Sequence, residues 1–212
     1  MHLGSGLVEK VDGRLARGDQ TRRAVLRRAV DIASVDGLEG LSIGRLATEL
    51  GISKSGLFAH FGSKEELQLA TIRAARAIFS HAVVTPALAK PAGMARLRAL
   101  LEGWIDYSRS REFPGGCFFS RATHEYAARP GAVRDALADA DREWLALVAA
   151  TIDEARELGE VRPDADSRQL AYELDAYLDS ANMRSLLGGD AAVYDLARVA
   201  VDARLDSVAT AV

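Results

Sequence analysis

Ser53, Lys54 and Ser55 stand together inside the stretch Ser42 to Phe61, SIGRLATELGISKSGLFAHF. Short hydroxyl and ammonium side chains in one cluster suit hydrogen bonding to base edges and phosphate oxygens. Groups that make and break covalent bonds are not arranged for it. None of His2, His60, His81 and His124 has a Glu three residues before it, as di-iron bundles require. Neither a G-x-x-x-x-G-K nucleotide loop nor a His-Glu-x-x-His zinc pair occurs. Cys117 is the single cysteine, which excludes an intrachain disulfide and a Cys-based structural zinc site. No catalytic residue, metal or cofactor is expected, and an enzyme would have to use chemistry that leaves no local signature.

The serines and the lysine need two short helices to present them. Ser42 can cap a helix with Ile43, Leu46, Ala47 and Leu50 on one face, and Gly51 can take the positive φ of a tight turn. Ser53 caps the next helix after only two residues, with Leu57 facing inward with Leu46, Leu50 and Ile52. Small Ala47 permits close approach of the pair. This is the grammar of a helix-turn-helix, whose second helix enters the major groove with its N-terminal residues against base edges. Gly56 removes bulk where the helix must approach the duplex, and Arg45 and Lys64 add cations at its borders. The helix N-termini at Ser42 and Ser63 offer N–H groups to phosphates. The same corner also occurs in all-α proteins that never touch DNA.

Charge distribution favours the DNA reading. The chain of 212 residues has a net charge of −3. Between Arg14 and Lys64, however, nine basic residues face five acidic ones, whereas from Gln68 onward 17 basic face 21 acidic. A basic module followed by an acidic remainder is expected when one part faces phosphate. The first twenty residues lack an apolar leader segment, and no run of eighteen apolar residues occurs. A cytoplasmic location without membrane partners is expected.

Apolar residues recur with helical period almost throughout, so the fold class expected is all-α, with about nine helices. A flexible arm is expected over 1–20. Thr21 then caps a first helix burying Val25, Ala29, Ile32 and Ala33. The helix-turn-helix domain closes at 66, and a larger helical domain occupies 67–212. Its helices are expected from Ser63 until Pro86 ends the first of them, then over Met94 to Arg111, Cys117 to Ala128, Gly131 to Leu158, Asp166 to Leu187, and Asp190 to about Val208.

From Thr21 to Leu67 the sequence resembles the N-terminal domain of the TetR family. The residues that carry the likeness are Gly37, Ser42, Leu46-Ala47, Gly51-Ile52-Ser53, Gly56-Leu57-Phe58-Ala59-His60-Phe61 and Lys64-Glu65-Glu66-Leu67. Phe58 departs from the family pattern, which has Tyr there with a hydroxyl for a DNA phosphate. The resemblance implies a homodimer that binds double-stranded operator DNA, most simply a repressor, and a small organic effector bound by the later helices. On this reading the DNA-contacting set is Ser42, Arg45, Ser53, Lys54, Ser55, Gly56, Phe58, His60 and Lys64. For His60, packing between helices is favoured over a base contact.

The resemblance also places an effector cavity among the fourth to seventh helices. Its candidate residues are Phe79, Trp104, Tyr107, Cys117, Phe118, Arg121, His124, Trp144 and Val148. A plain aromatic core is the alternative for each of them. Cys117, at a helix N-terminus, is either a reactive low-pKa thiol or a buried inert one, the second being favoured. The final two helices carry Leu170, Leu174, Tyr177, Leu178, Ala181, Leu196, Val199 and Ala203, read as a dimer interface in preference to intramolecular packing. A DNA-binding activator or architectural protein without a ligand, or a helical enzyme, remain the other classes.

Overall fold

A computed structural model describes residues 5–210, and of residues 5–17 and Asp19 the backbone alone. The elements are α1 (Ser5–Asp36), α2 (Ile43–Leu50), α3 (Lys54–Phe61), α4 (Lys64–Phe79), a π-helical turn (Ser80–Val84), α5 (Thr85–Leu88), α6 (Met94–Arg109), α7 (Phe118–Tyr126), α8 (Ala132–Glu157), α9 (Ser167–Gly188) and α10 (Val193–Val208). Among the described residues the only β pairing is an isolated bridge between Val161 and Ala209. The all-α expectation holds, because apolar residues at helical spacing leave no element with a period of two.

Two boundaries differ from the sequence reading. Helical backbone runs back to Ser5, so Thr21 lies inside α1 instead of capping it. No proline interrupts residues 5–20, and Leu7, Glu9, Lys10, Leu15, Ala16 and Arg17 are good helix formers. Pro86 does not end the fourth helix either. The π turn at Ser80–Val84 shifts the hydrogen-bond register just ahead of Pro86, which falls in the first turn of α5 where its fixed φ suits the helix. α4, the π turn and α5 therefore form one rod reaching Leu88. Counted with that rod as one, nine rods are present among the described residues.

Val25, Ala29, Ile32 and Ala33 of α1 are buried as expected, joining Leu46, Leu57 and Phe61 in a core that continues through Leu67, Ile72, Leu101 and Trp104. α1 packs on α4 and α7, α4 on α8, and α9 lies between α8 and α10. Ion pairs pin α10 to α6: Arg98 to Asp202 at 2.5 Å, Arg109 to Asp195 at 2.7 Å and Arg198 to Glu102 at 2.8 Å. A buried polar knot fixes the start of α7. Asn182 Oδ1 accepts from Ser108 Oγ at 2.9 Å and from the Cys117 N–H at 3.0 Å.

Candidate functional site

The α2–α3 corner forms as its residue types require. Gly51 sits at φ 63 and ψ 28, and the Ile52 N–H reaches the Ala47 carbonyl at 3.0 Å. Ser42, Ser53 and Ser63 each cap the helix that follows, their Oγ atoms accepting from the N–H groups of Arg45 (3.1 Å), Gly56 (3.2 Å) and Glu66 (3.1 Å). Each hydroxyl accepts in its cap and keeps its proton for an outside acceptor such as phosphate. Gly40-Leu41-Ser42-Ile43-Gly44 also spells G-x-S-x-G, but among the described residues no strand precedes Ser42, which caps a helix and forms no nucleophile elbow.

Ser53, Lys54, Ser55, Phe58 and His60 are all exposed on α3. Lys54 has no ion pair or hydrogen bond with another described residue, and its ammonium is free for an anion. Phe58, 56% exposed, offers an apolar ring where a hydroxyl was absent from the start. Gly56 is better explained by the cap than by groove clearance, since a Cβ there would press on Ser53 Oγ. His60 meets α1 through its carbonyl, which accepts from Arg22 Nη1 at 2.9 Å, and its ring remains exposed.

Arg45 and Lys64 are less available than their charge suggests. Arg45 pairs with Asp36 at 2.6 Å and Glu49 at 3.0 Å, and Lys64 with Glu39 at 2.8 Å. Arg27 and Arg28 pair likewise, with Glu112 and Glu49. The unneutralised charge lies on Lys54, Arg22 and Arg23, none of which has a carboxylate partner among the described residues. Arg22 and Arg23 are absent from the DNA-contacting set read from the sequence, because helical periodicity does not tell which arginines find acids.

A cavity of about 480 Å³ opens between α4, the π turn, α7, α8 and α9. Its walls are Phe79 and Val84 from the rod of α4, the π turn and α5, Trp104 from α6, Phe119 from α7, and Trp144 and Leu147 from α8. Phe79 meets Tyr107, Phe119 and Trp144 edge to face, at centroid distances of 5.3, 6.0 and 5.4 Å. A π turn at this wall is in keeping with the tendency of such turns to occur at functional positions.

Of the residues read as cavity candidates, Phe79, Trp104, Cys117, His124 and Trp144 line it, and four do not. Tyr107 stands behind Phe79, Phe118 is fully buried against Phe113 and Phe119, and Val148 lies in the core one turn from Trp144. Arg121 points to solvent. The sequence reading missed the polar lining, Arg76, Ser120, Thr123, Asp141, Glu143, Asp175 and Asp179. The signal available was acids on two helices, α8 and α9, which by itself also describes a solvated face.

Asp175 Oδ1 accepts from the Trp144 indole N–H at 2.9 Å. Burial pushes its carboxyl up to about 6, opposed by that bond and reinforced by Asp141 and Asp179. Burial likewise pushes the Cys117 thiol up to about 11, a direction that agrees with the inert reading of that cysteine.

α7 joins the cavity to the helix-turn-helix. One side of it supplies Phe119, Ser120, Thr123 and His124 to the cavity. The next two residues hold the loop after α1: Glu125 accepts from the Leu38 N–H at 2.7 Å and the Glu39 N–H at 3.1 Å. Tyr126 donates to Glu39 at 2.6 Å and accepts from Gln68 at 2.9 Å, and Gln68 also donates to the Leu38 carbonyl at 2.9 Å. Lys64 and Tyr126 together hold the Glu39 carboxyl down at about 2. Nearby, Gly115 donates to Ser34 Oγ at 3.0 Å, and a Cβ on Gly115 would overlap the Ser34 carbonyl.

The expected dimer residues divide into two groups. Leu170, Leu174, Leu178 and Ala181 are buried within the chain, where α9 packs between α8 and α10, and so cannot meet a partner. Leu196 and Val199 are 71% and 67% exposed, Ala203 is exposed, and Tyr177 is half-buried beside them. Met183 and Leu187 on α9 are exposed as well.

Comparison with known proteins places these features. A family model described as bacterial regulatory proteins, tetR family, matches residues 25–71, and one described as the tetracyclin repressor-like C-terminal domain matches residues 93–201. A TetR transcriptional regulator from Chloroflexus aurantiacus shares the fold at a TM-score of 0.82 and 24% identity, over 92% of this chain and 100% of that one. A regulator from Saccharomonospora viridis, solved in complex with choline, gives 0.72 and 20% over 91% and 100%. AibR, solved with isovaleryl coenzyme A and operator DNA, gives 0.61 and 21% over 77% and 84%. No curated protein sequence matches the chain.

Proposed function

The chain belongs to the tetR family of bacterial regulatory proteins, and from that premise we propose that it is a ligand-responsive repressor. It binds a palindromic operator as a cytoplasmic homodimer and leaves it when a small organic molecule fills the cavity. The observation that carries this reading is the double duty of α7, whose Phe119, Ser120, Thr123 and His124 line the cavity while Glu125 and Tyr126 hold the helix-turn-helix domain. α4 has the same double attachment, through Gln68 at one end and Phe79 at the other. The neighbours solved with choline and with isovaleryl coenzyme A support an organic ligand in this fold, and the operator complex supports DNA as partner.

For such control, the effector must bind one conformation better than the other. Filling the cavity displaces α7, the carboxylate of Glu125 moves with it, and the loop 37–39 that it holds carries α2 and α3 along. A coupling of about 1 to 3 kcal/mol, roughly 5- to 150-fold in operator affinity, is the usual scale, and operator DNA must weaken the effector equally. Exposed Leu196, Val199 and Ala203 suit a two-fold interface, which sets two copies of α3 about 34 Å apart for successive major grooves. Among the described residues no helix is long and apolar enough to cross a membrane.

Selection from random duplex DNA with the purified full chain tests the reading. Enrichment of an inverted repeat is expected. Enrichment of no sequence above bulk DNA refutes operator recognition.

A further inference from the structure

We propose that the effector is an organic cation, an ammonium or guanidinium group carried on an apolar body, with Asp175 as its counter-charge. This deepens the effector-cavity reading above and rests on it. Aromatic walls make the cavity, and the carboxylates decide the charge it takes.

Four acids line it, Asp141, Glu143, Asp175 and Asp179, against one arginine. That arginine, Arg76, is spent in an ion pair with Glu143. No described residue forms an ion pair with the other three. His124 also lines the cavity, its Nδ1 bonded to the Ser120 carbonyl at 2.6 Å. Asp141 is exposed, but Asp175 is a carboxylate without an ion pair set against the Trp144 indole, which is costly without a ligand and favourable with a cationic one.

Asp175 is the best placed of the three. Its Oδ1 is held by the Trp144 indole, which leaves Oδ2 for a ligand. The same bond fixes the indole beside that carboxylate, and Phe79 meets Trp144 at 5.4 Å. A cation resting on an aromatic face next to a carboxylate gains from both. A bare metal ion does not fit: no group of three or more His, Cys, Asp or Glu able to hold one occurs among the described residues. An anionic effector would face the same three carboxylates with no free cation in the lining.

Three probes of similar shape test this in calorimetric titration of the full chain: phenyltrimethylammonium, its neutral isostere tert-butylbenzene, and benzenesulfonate. The cation should bind about tenfold more tightly than the neutral isostere, and the anion not measurably. Asp175→Asn should lower cation affinity about tenfold and leave tert-butylbenzene unchanged, with far-ultraviolet circular dichroism confirming the fold; Asp179→Asn should act the same way more weakly. Equal or tighter binding of the neutral isostere, or cation affinity unmoved by Asp175→Asn, overturns the cation assignment while leaving the cavity as an effector site. If none of the three binds at millimolar concentration, the effector-cavity reading falls and this inference with it.

Discussion

Replacing Asp175 by Asn should make the unliganded protein more stable at pH 8 and not at pH 4. The folded carboxyl stands at about 6, raised chiefly by burial, whereas an unfolded aspartate titrates near 4. A raised folded value means that the native state binds more protons between those two points. Stability is then fully present below about pH 4 and is lost as pH rises through about 6. A shift of about two units corresponds to roughly 3 kcal/mol, and partial exposure of the side chain reduces that to about 2. The amide keeps an oxygen for the Trp144 indole but gives a neutral bond weaker by up to about 1 kcal/mol. A net gain of about 1 to 2 kcal/mol at pH 8 follows, or roughly 2 to 8 °C in Tm for a chain of this size. Thermal unfolding of both proteins at one-unit steps from pH 4 to pH 8 measures the difference curve, which also removes the contributions of other titrating groups. A difference that stays flat across that range would refute the account of Asp175 as an uncompensated buried charge.

Lys54→Ala should weaken the selected operator by about 1 to 3 kcal/mol if the ammonium reads a base; in gel-shift titration, equal weakening on all sequences would instead assign it to phosphate. Paired Leu196→Asp and Val199→Asp substitutions should turn a dimer into a folded monomer in sedimentation velocity, and persistence of the dimer would place the interface elsewhere. Glu125→Gln, which leaves one neutral acceptor for two N–H groups, should cost about 1 to 2 kcal/mol of stability and reduce the effect of an effector on operator affinity; an unchanged effector response would remove α7 from the route. Native Cys117 should resist a thiol reagent at neutral pH and react once guanidinium unfolds the chain, because burial holds the thiol at about 11; rapid reaction of the native protein would contradict this.

The helix-turn-helix was legible because its determinants are local. Ser42, Gly51, Ser53 and Ser63 act within three residues of themselves, as caps and a turn, so their types and spacing carry the whole signal. Availability of charge is not local. Arg45 is consumed by Asp36 and Glu49, and Lys64 by Glu39, which sits 25 residues away in the chain. Periodicity identified the apolar faces of α9 and α10 but not what covers them. Leu174 and Leu196 look equally apolar in sequence, yet one is sealed between α8 and α10 and the other is open.

The cavity was the least legible part for a physical reason. Its aromatic wall follows from composition and the family likeness, but its charge arises from acids on α8 and α9 that only packing brings to one space. Along each helix Asp141, Asp175 and Asp179 read as solvated surface, and solvated acids outnumber functional ones. What distinguishes them is the missing partner. A folded chain that pairs many of its arginines with acids, as along α6 and α10, leaves Asp175 without an ion pair beside the aromatic wall. Packing energy alone would not select that arrangement, since each buried charge without a partner lowers stability. Retaining it is consistent with a site whose stability is deferred to the bound state, so that cavity occupancy and the fold of α7 become one equilibrium. The same deficit that Asp175→Asn relieves in the empty protein is the one a cationic effector relieves in the liganded protein. The variant should therefore gain stability and lose ligand response together.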